Sequence, residues 1–167
     1  NGDINKEKKR NFFFKELIEL IAKNTNAHFK VFIINGNSLF GDQLTTKQLI
    51  QNIDENRVSI VPYLNDVSET CKEINRCDLM ISTRLHASIF ACYSDIPFFL
   101  IEYHKKCSDF LSDVGQDVNY RLYDAEITPK EVLLKINEIF NGFYIKPKNI
   151  NQTIELAKKN FTSHKLL

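Results

Sequence analysis

A chain of 167 residues with 43% hydrophobic composition is long enough for one domain with its own core, which argues against a second full domain. Its 22 Lys and Arg balance 21 Asp and Glu, so the formal charge of +1 argues against nucleic-acid binding by bulk electrostatics. Cys71, Cys77, Cys92 and Cys107 are spaced by 6, 15 and 15 residues, which lacks zinc-site spacing and reads as reduced thiols of a cytoplasmic protein. No apolar run reaches the ~18 residues of a membrane span.

In chain order, the spacing of Phe13, Phe14, Leu17, Ile18 and Ile21 predicts a helix over 6–22. The run 29–34, closed by Asn35-Gly36, predicts a buried strand, with a loop over 37–42. Thr45 or Thr46 is expected to cap a helix running to Ile53. A strand over 58–61 is broken by Pro62. Asp66 and Glu69 then have the spacing of a capping box for a helix over 66–76. A third strand, 79–81, leads into a helix over 85–93, where Ala87 and Ala91 permit close approach to a sheet. A fourth strand, 97–101, precedes a helix over 106–114 that Gly115 stops. A short fifth strand is expected at 120–123. Thr128, Pro129 and Glu131 open a helix with Val132, Leu133, Ile136, Ile139 and Phe140 as its stripe. Residues 143–167 read as a helical extension, with a last helix over 150–161 and a frayed tail over 162–167.

Helices alternating with continuous apolar strands imply an α/β domain over 1–167. The expected form is a Rossmann-like α/β/α arrangement of three layers with a mostly parallel sheet. The first clear element is a helix, whereas a doubly wound sheet starts with its central strand. One strand is therefore expected ahead of Asn1, and the chain reads as part of something longer.

The chemistry concentrates at the ends of the third and fourth strands, where an open α/β sheet binds its ligand. Ser82 and Thr83 sit at a strand-to-helix turn, with Arg84 and His86 just beyond. Residues two apart on a regular helix point away from each other, so Arg84 and His86 can cooperate only if this turn is partly unwound. Such a turn leaves helix N–H groups free for an anion. Arg84 adds a bidentate fork and His86 a proton carrier near neutrality. The plainer reading makes Arg84 a surface ion-pair residue and His86 structural. At the fourth strand's end stand Glu102, Tyr103 and Lys106, with His104 and Lys105 read as solvated. His28 and His164 are read as surface and tail residues, and Asp42 as a turn residue within reach of a cleft. Glycine-rich phosphate loops, dinucleotide fingerprints and the Gly-x-Ser-x-Gly elbow are absent from the sequence.

The run Cys77-Asp78-Leu79-Met80-Ile81-Ser82-Thr83-Arg84-Leu85-His86-Ala87 is followed by Ala91, Ile96-Pro97, Tyr103, Lys106, Phe110 and Gly115. This series resembles the C-terminal half of the polysaccharide pyruvyl transferases. The matching parts are an Asp opening a strand, a Ser before Arg-Leu-His-Ala, a helix, a Pro-led strand and Tyr-x-x-Lys. They span 75–115, with a looser match back towards Phe29. One departure is Lys105, where the family usually has Pro. The resemblance implies the C-terminal half of a GT-B-like fold, docked against an N-terminal domain. It implies pyruvyl transfer from phosphoenolpyruvate to a sugar hydroxyl, forming a ketal on a cell-surface glycan. The acceptor would be a glycan or lipid-linked sugar, with no metal and no cofactor beyond the donor. His86 and Arg84 carry over as catalytic residues. Ser82, Thr83, Arg84, Glu102, Tyr103 and Lys106 carry over as substrate-binding. Two alternatives stay open. One is a nucleotide-sugar glycosyltransferase or epimerase half that grips a ribose with Glu102. The other is a non-catalytic interaction domain that uses the apolar face of 150–161.

Overall fold

The computed structural model describes residues 2–37, 41–123 and 127–163. Helices and parallel strands alternate along it. They are α1 Gly2–Asn24, β1 Phe29–Phe32, α2 Gln43–Ile50, β2 Val58–Val61, α3 Val67–Ile74, β3 Met80–Ser82 and α4 Leu85–Tyr93. There follow β4 Phe98–Glu102, α5 Lys105–Asp113, β5 Arg121–Tyr123, α6 Pro129–Phe140 and α7 Ile150–Ser163. The expected α/β, Rossmann-like architecture is what the strands and helices form. The pairing is divided, however: β1 pairs with β2, while β3, β4 and β5 form a separate parallel group.

β4 explains why both faces must be covered. Phe98 and Leu100 turn to one side and Phe99 and Ile101 to the other, and all four lie between 0% and 3% exposed. Phe98 and Leu100 join Ile74, Ala87, Ala91, Cys107 and Leu111 beneath α3, α4 and α5. Phe99 and Ile101 join Leu17, Ile21, Val132 and Ile136 beneath α1 and α6. The small side chains of Ala87 and Ala91 let α4 settle on β3 and β4, burying both alanines.

The helix ends show where local chemistry and tertiary contacts diverge. Thr128 and Glu131 form the predicted capping box, each side chain bonding the other's backbone N–H. Gly115 ends α5 at φ +68, and a Cβ there would crowd Asn149. The cap expected at Thr45 or Thr46 lies instead at Asp42: α2 begins at Gln43, Thr46 is buried inside it, and it ends at Ile50. Asp42 holds that start because its backbone and carboxylate are both tied to Asn35. Asp66 caps α3 through the Ser68 N–H at 2.7 Å, without the predicted box to Glu69. The Asp66 carboxylate thus satisfies the second helical N–H. α1 spans Gly2–Asn24, longer at both ends than the predicted 6–22. Arg57 secures its C-terminal end by donating to the carbonyl oxygens of Ala22, Thr25 and Ala27. α7 extends through Ser163; the rest of the predicted frayed tail lies outside the described residues, as do positions 38–40 of the predicted loop.

Candidate functional site

The third strand ends in a turn built by one hydroxyl. Ser82 Oγ accepts from the Arg84 N–H at 2.7 Å and donates to the Arg84 carbonyl at 2.9 Å. This clasp holds Arg84 extended, at φ −89 and ψ 116, as the N-cap residue of α4. The turn is thus unwound in the way that cooperation between Arg84 and His86 requires. Ser82 itself is buried, so its hydroxyl shapes the turn from within. Thr83 is half-buried beside it.

Arg84 reaches across to Asp42, forming an ion pair between Nη2 and Oδ1. The other Asp42 oxygen accepts from the Asn35 N–H at 2.9 Å. The guanidinium side chain remains 43% exposed. It is therefore oriented by Asp42 yet still open to solvent. His86, at the second position of α4, is exposed and has no hydrogen-bond partner among the described residues. Ala87 and Ser88 N–H groups bond back to the Arg84 carbonyl, which leaves those of Leu85 and His86 at the open end of the helix.

β4 runs beside β3, with Ser82 opposite Leu100, so Glu102 lies just beyond the Ser82 turn on the neighbouring strand. Its carboxylate is fully engaged: Oε1 accepts from Arg121 Nε at 2.9 Å and Oε2 from Nη2 at 2.5 Å. The Glu102 side chain is 1% exposed and that of Arg121 14%. The hydrogen bonds it donates to Glu102 hold the Arg121 guanidinium above its ordinary pKa, against the opposing effect of burial. Tyr103 is half-buried, with the Arg10 guanidinium 5.0 Å over its ring. His104 caps α5, its Nδ1 accepting from the Lys106 N–H at 3.2 Å. The Lys106 side chain is exposed at the start of that helix, and Lys105 pairs with Asp109 on the surface. Cys107 follows but is fully buried, and burial pushes its thiol up, so it offers no reactive thiolate.

The structure brings Ser82, Thr83, Arg84 and His86 to one strand end and Glu102, Tyr103 and Lys106 to the next. It separates Glu102 from solvent and gives Asp42 a closer relation to Arg84 than a turn residue needs. Asp42 could have been singled out because Gly41-Asp42 follows one parallel strand as Ser82-Thr83-Arg84 follows another. Arg121 carried no local signal, since only strand pairing brings it to Glu102. Among the described residues, no cluster of His, Cys, Asp and Glu could hold a metal ion, and no helix is long and apolar enough to cross a membrane.

The family model described as polysaccharide pyruvyl transferase matches residues 2–105. The match covers α1 to the start of α5, including both strand ends. No curated protein and no solved structure matches the chain.

Proposed function

The chain belongs to the polysaccharide pyruvyl transferase family, and from that premise we propose that it is the C-terminal half of a GT-B-like, cytoplasmic enzyme. That enzyme moves the pyruvyl group of phosphoenolpyruvate onto a sugar diol of a glycan or lipid-linked acceptor. The facing N-terminal domain would supply the rest of the cleft. The observation that carries the reading is the Ser82 clasp, which presents Arg84 and His86 at the open start of α4.

Ketal formation places particular demands on such a site. The methylene carbon of phosphoenolpyruvate must gain a proton, which makes the adjacent carbon electrophilic. Two sugar hydroxyls then bond to that carbon, the bond to the phosphate oxygen breaks, and inorganic phosphate leaves. One hydroxyl proton balances the proton delivered to carbon; the other departs to solvent or phosphate. His86, exposed and unpartnered among the described residues, is the proton carrier in this scheme. Arg84 binds the carboxylate or phosphate of the donor, with the free N–H groups of α4 and the ammonium of Lys106 adding positive potential. Thr83 and Tyr103 border the same end of the sheet as substrate contacts. Ser82 holds the turn. Glu102 acts from behind, through Arg121.

The ion pair of Glu102 also weighs against a nucleotide-sugar transferase, because the carboxylate that would grip a ribose is already occupied on both oxygens. The test uses the full-length enzyme, with phosphate release from phosphoenolpyruvate as the readout. His86→Ala is expected to lower kcat by ~10²–10⁴, and Arg84→Ala to raise KM for phosphoenolpyruvate. A His86→Ala enzyme that turns over at the wild-type rate would remove His86 from the chemistry.

A further inference from the structure

Positive charge is concentrated on one helix. Between Ile4 and Lys15 the first half of α1 carries five basic side chains, at positions 6, 8, 9, 10 and 15, against Glu7 alone, although the whole chain balances to +1. Lys8 and Lys9 are exposed and enter no ion pair among the described residues. The helix commits its apolar face to the core: Leu17 and Ile21 are buried, and Phe13 and Phe14 pack against the same cluster. Its outward face is nevertheless not simply polar. Ile4, Lys8 and Phe12 stand four apart and line up on one side, with Ile4 57% and Phe12 69% exposed. Lys9 and Lys15 flank that stripe. Glu16 and Glu19 mark its lower edge, so the positive surface is confined to the first turns.

α2 extends the same surface. Arg10 over the Tyr103 ring places the start of α1 at the site-bearing end of the sheet, and α2, between the end of β1 and the start of β2, runs the same way beside it. Asn52 Nδ2 donates to Glu19 Oε1 at 2.7 Å, which fixes the relative height of the two helices. Leu44 lies eight residues before Asn52 and so stands level with the turn of α1 that bears Phe12. Leu44 is 76% exposed, and Lys47 is exposed about one turn below it.

We infer that the outward face of α1, extended by Leu44 and Lys47, docks the protein on an anionic phospholipid bilayer. Lysines with large apolar side chains standing among them match such a surface: the ammonium groups meet lipid phosphates while the apolar tips enter the headgroup layer. A nucleic-acid backbone would match the lysines but leave Ile4, Phe12 and Leu44 in water. Contact is peripheral, because the other face of α1 is committed to the core. The placement also bears on the candidate site. Arg10 faces Tyr103 at 5.0 Å, and Phe12, two residues on, points to the opposite side of the helix. The headgroups would therefore lie one helix diameter, ~10–12 Å, from the end of β4. Only one consequence rests on the reaction proposed above: a lipid-linked sugar would meet the site without leaving the membrane.

Co-sedimentation of the full-length protein with vesicles tests it. Mixed phosphatidylglycerol–phosphatidylcholine vesicles should bind it, pure phosphatidylcholine vesicles should not, and binding should fall as salt is raised. Each basic side chain near an anionic surface is worth about fivefold in affinity, so Lys8→Ala/Lys9→Ala should bind ~25-fold more weakly. Phe12→Ala should weaken binding several-fold while leaving its salt dependence unchanged, which a purely ionic contact would not do. Both variants should unfold at the wild-type urea midpoint, since all three side chains are exposed. Vesicle binding is read without turnover, so its failure is distinct from failure of the proposed reaction. No preference for anionic vesicles, undiminished binding by the double variant, or full binding by Phe12→Ala would each overturn the inference.

Discussion

Glu102 and Arg121 provide a sharp test, because their separation should destabilise the fold far more than loss of a surface ion pair would. In Arg121→Leu the Glu102 carboxylate, 1% exposed, loses the guanidinium that binds both of its oxygens. Removing one partner of a buried pair typically costs about 3–5 kcal/mol, since an uncompensated charge stays behind. That is a large share of the ~5–15 kcal/mol that holds a domain together. Urea unfolding monitored by circular dichroism should show a midpoint lower by ~1 M or more at an unchanged slope. The double variant Glu102→Leu/Arg121→Leu should recover most of the loss, because no charge is then stranded. A single-variant cost below ~1 kcal/mol, the value of an exposed pair, would refute the reasoning. Glu102 would then be solvated and available to a ligand.

Three further outcomes follow from the same geometry. Asp42→Ala removes the acceptor for the Asn35 N–H and the partner of Arg84; urea titration should show a loss of about 1–3 kcal/mol, and no loss would mean the Asp42 contacts do not form in solution. Burial pushes the Cys92 thiol up to about 12 from its ordinary 9.0. The folded state therefore keeps that proton where the unfolded chain loses it, so this contribution is complete below pH 9 and falls as pH rises from 9 to about 12. Cys92→Ala should flatten the alkaline decline in stability relative to wild type, and parallel declines would contradict the assignment. Thr128→Ala breaks the capping box at the start of α6 and should cost about 0.5–2 kcal/mol in the same titration.

Much of the architecture was legible in the residues. Continuous apolar runs separated by amphipathic helices implied parallel strands covered on both faces, and β2 and α4 fall within the predicted bounds. The Thr128 box was readable because all its partners lie within one turn. The α2 cap was misplaced for the opposite reason: Asp42 is held by Asn35 and Arg84, neither of which a helix-propensity argument includes. Arg84 and His86 were visible as candidate chemistry at a strand end. The role of Ser82 in shaping that turn was not, since a serine offers the same hydroxyl to a ligand or to its own backbone.

The sequence by itself determined the order and kind of the elements, the family-bearing series around Asp78–Lys106 and the residue types able to bind an anion and move a proton. Those depend on periodicity and on contacts a few residues apart. Only the tertiary structure decided that Asp42 orients Arg84, that Arg121 removes Glu102 from solvent, and that β1 and β3 stand apart. Each involves groups from separate strands or the loops that follow them. Such partners are selected by how strands align across a sheet, a relation that carries no local signature along the chain.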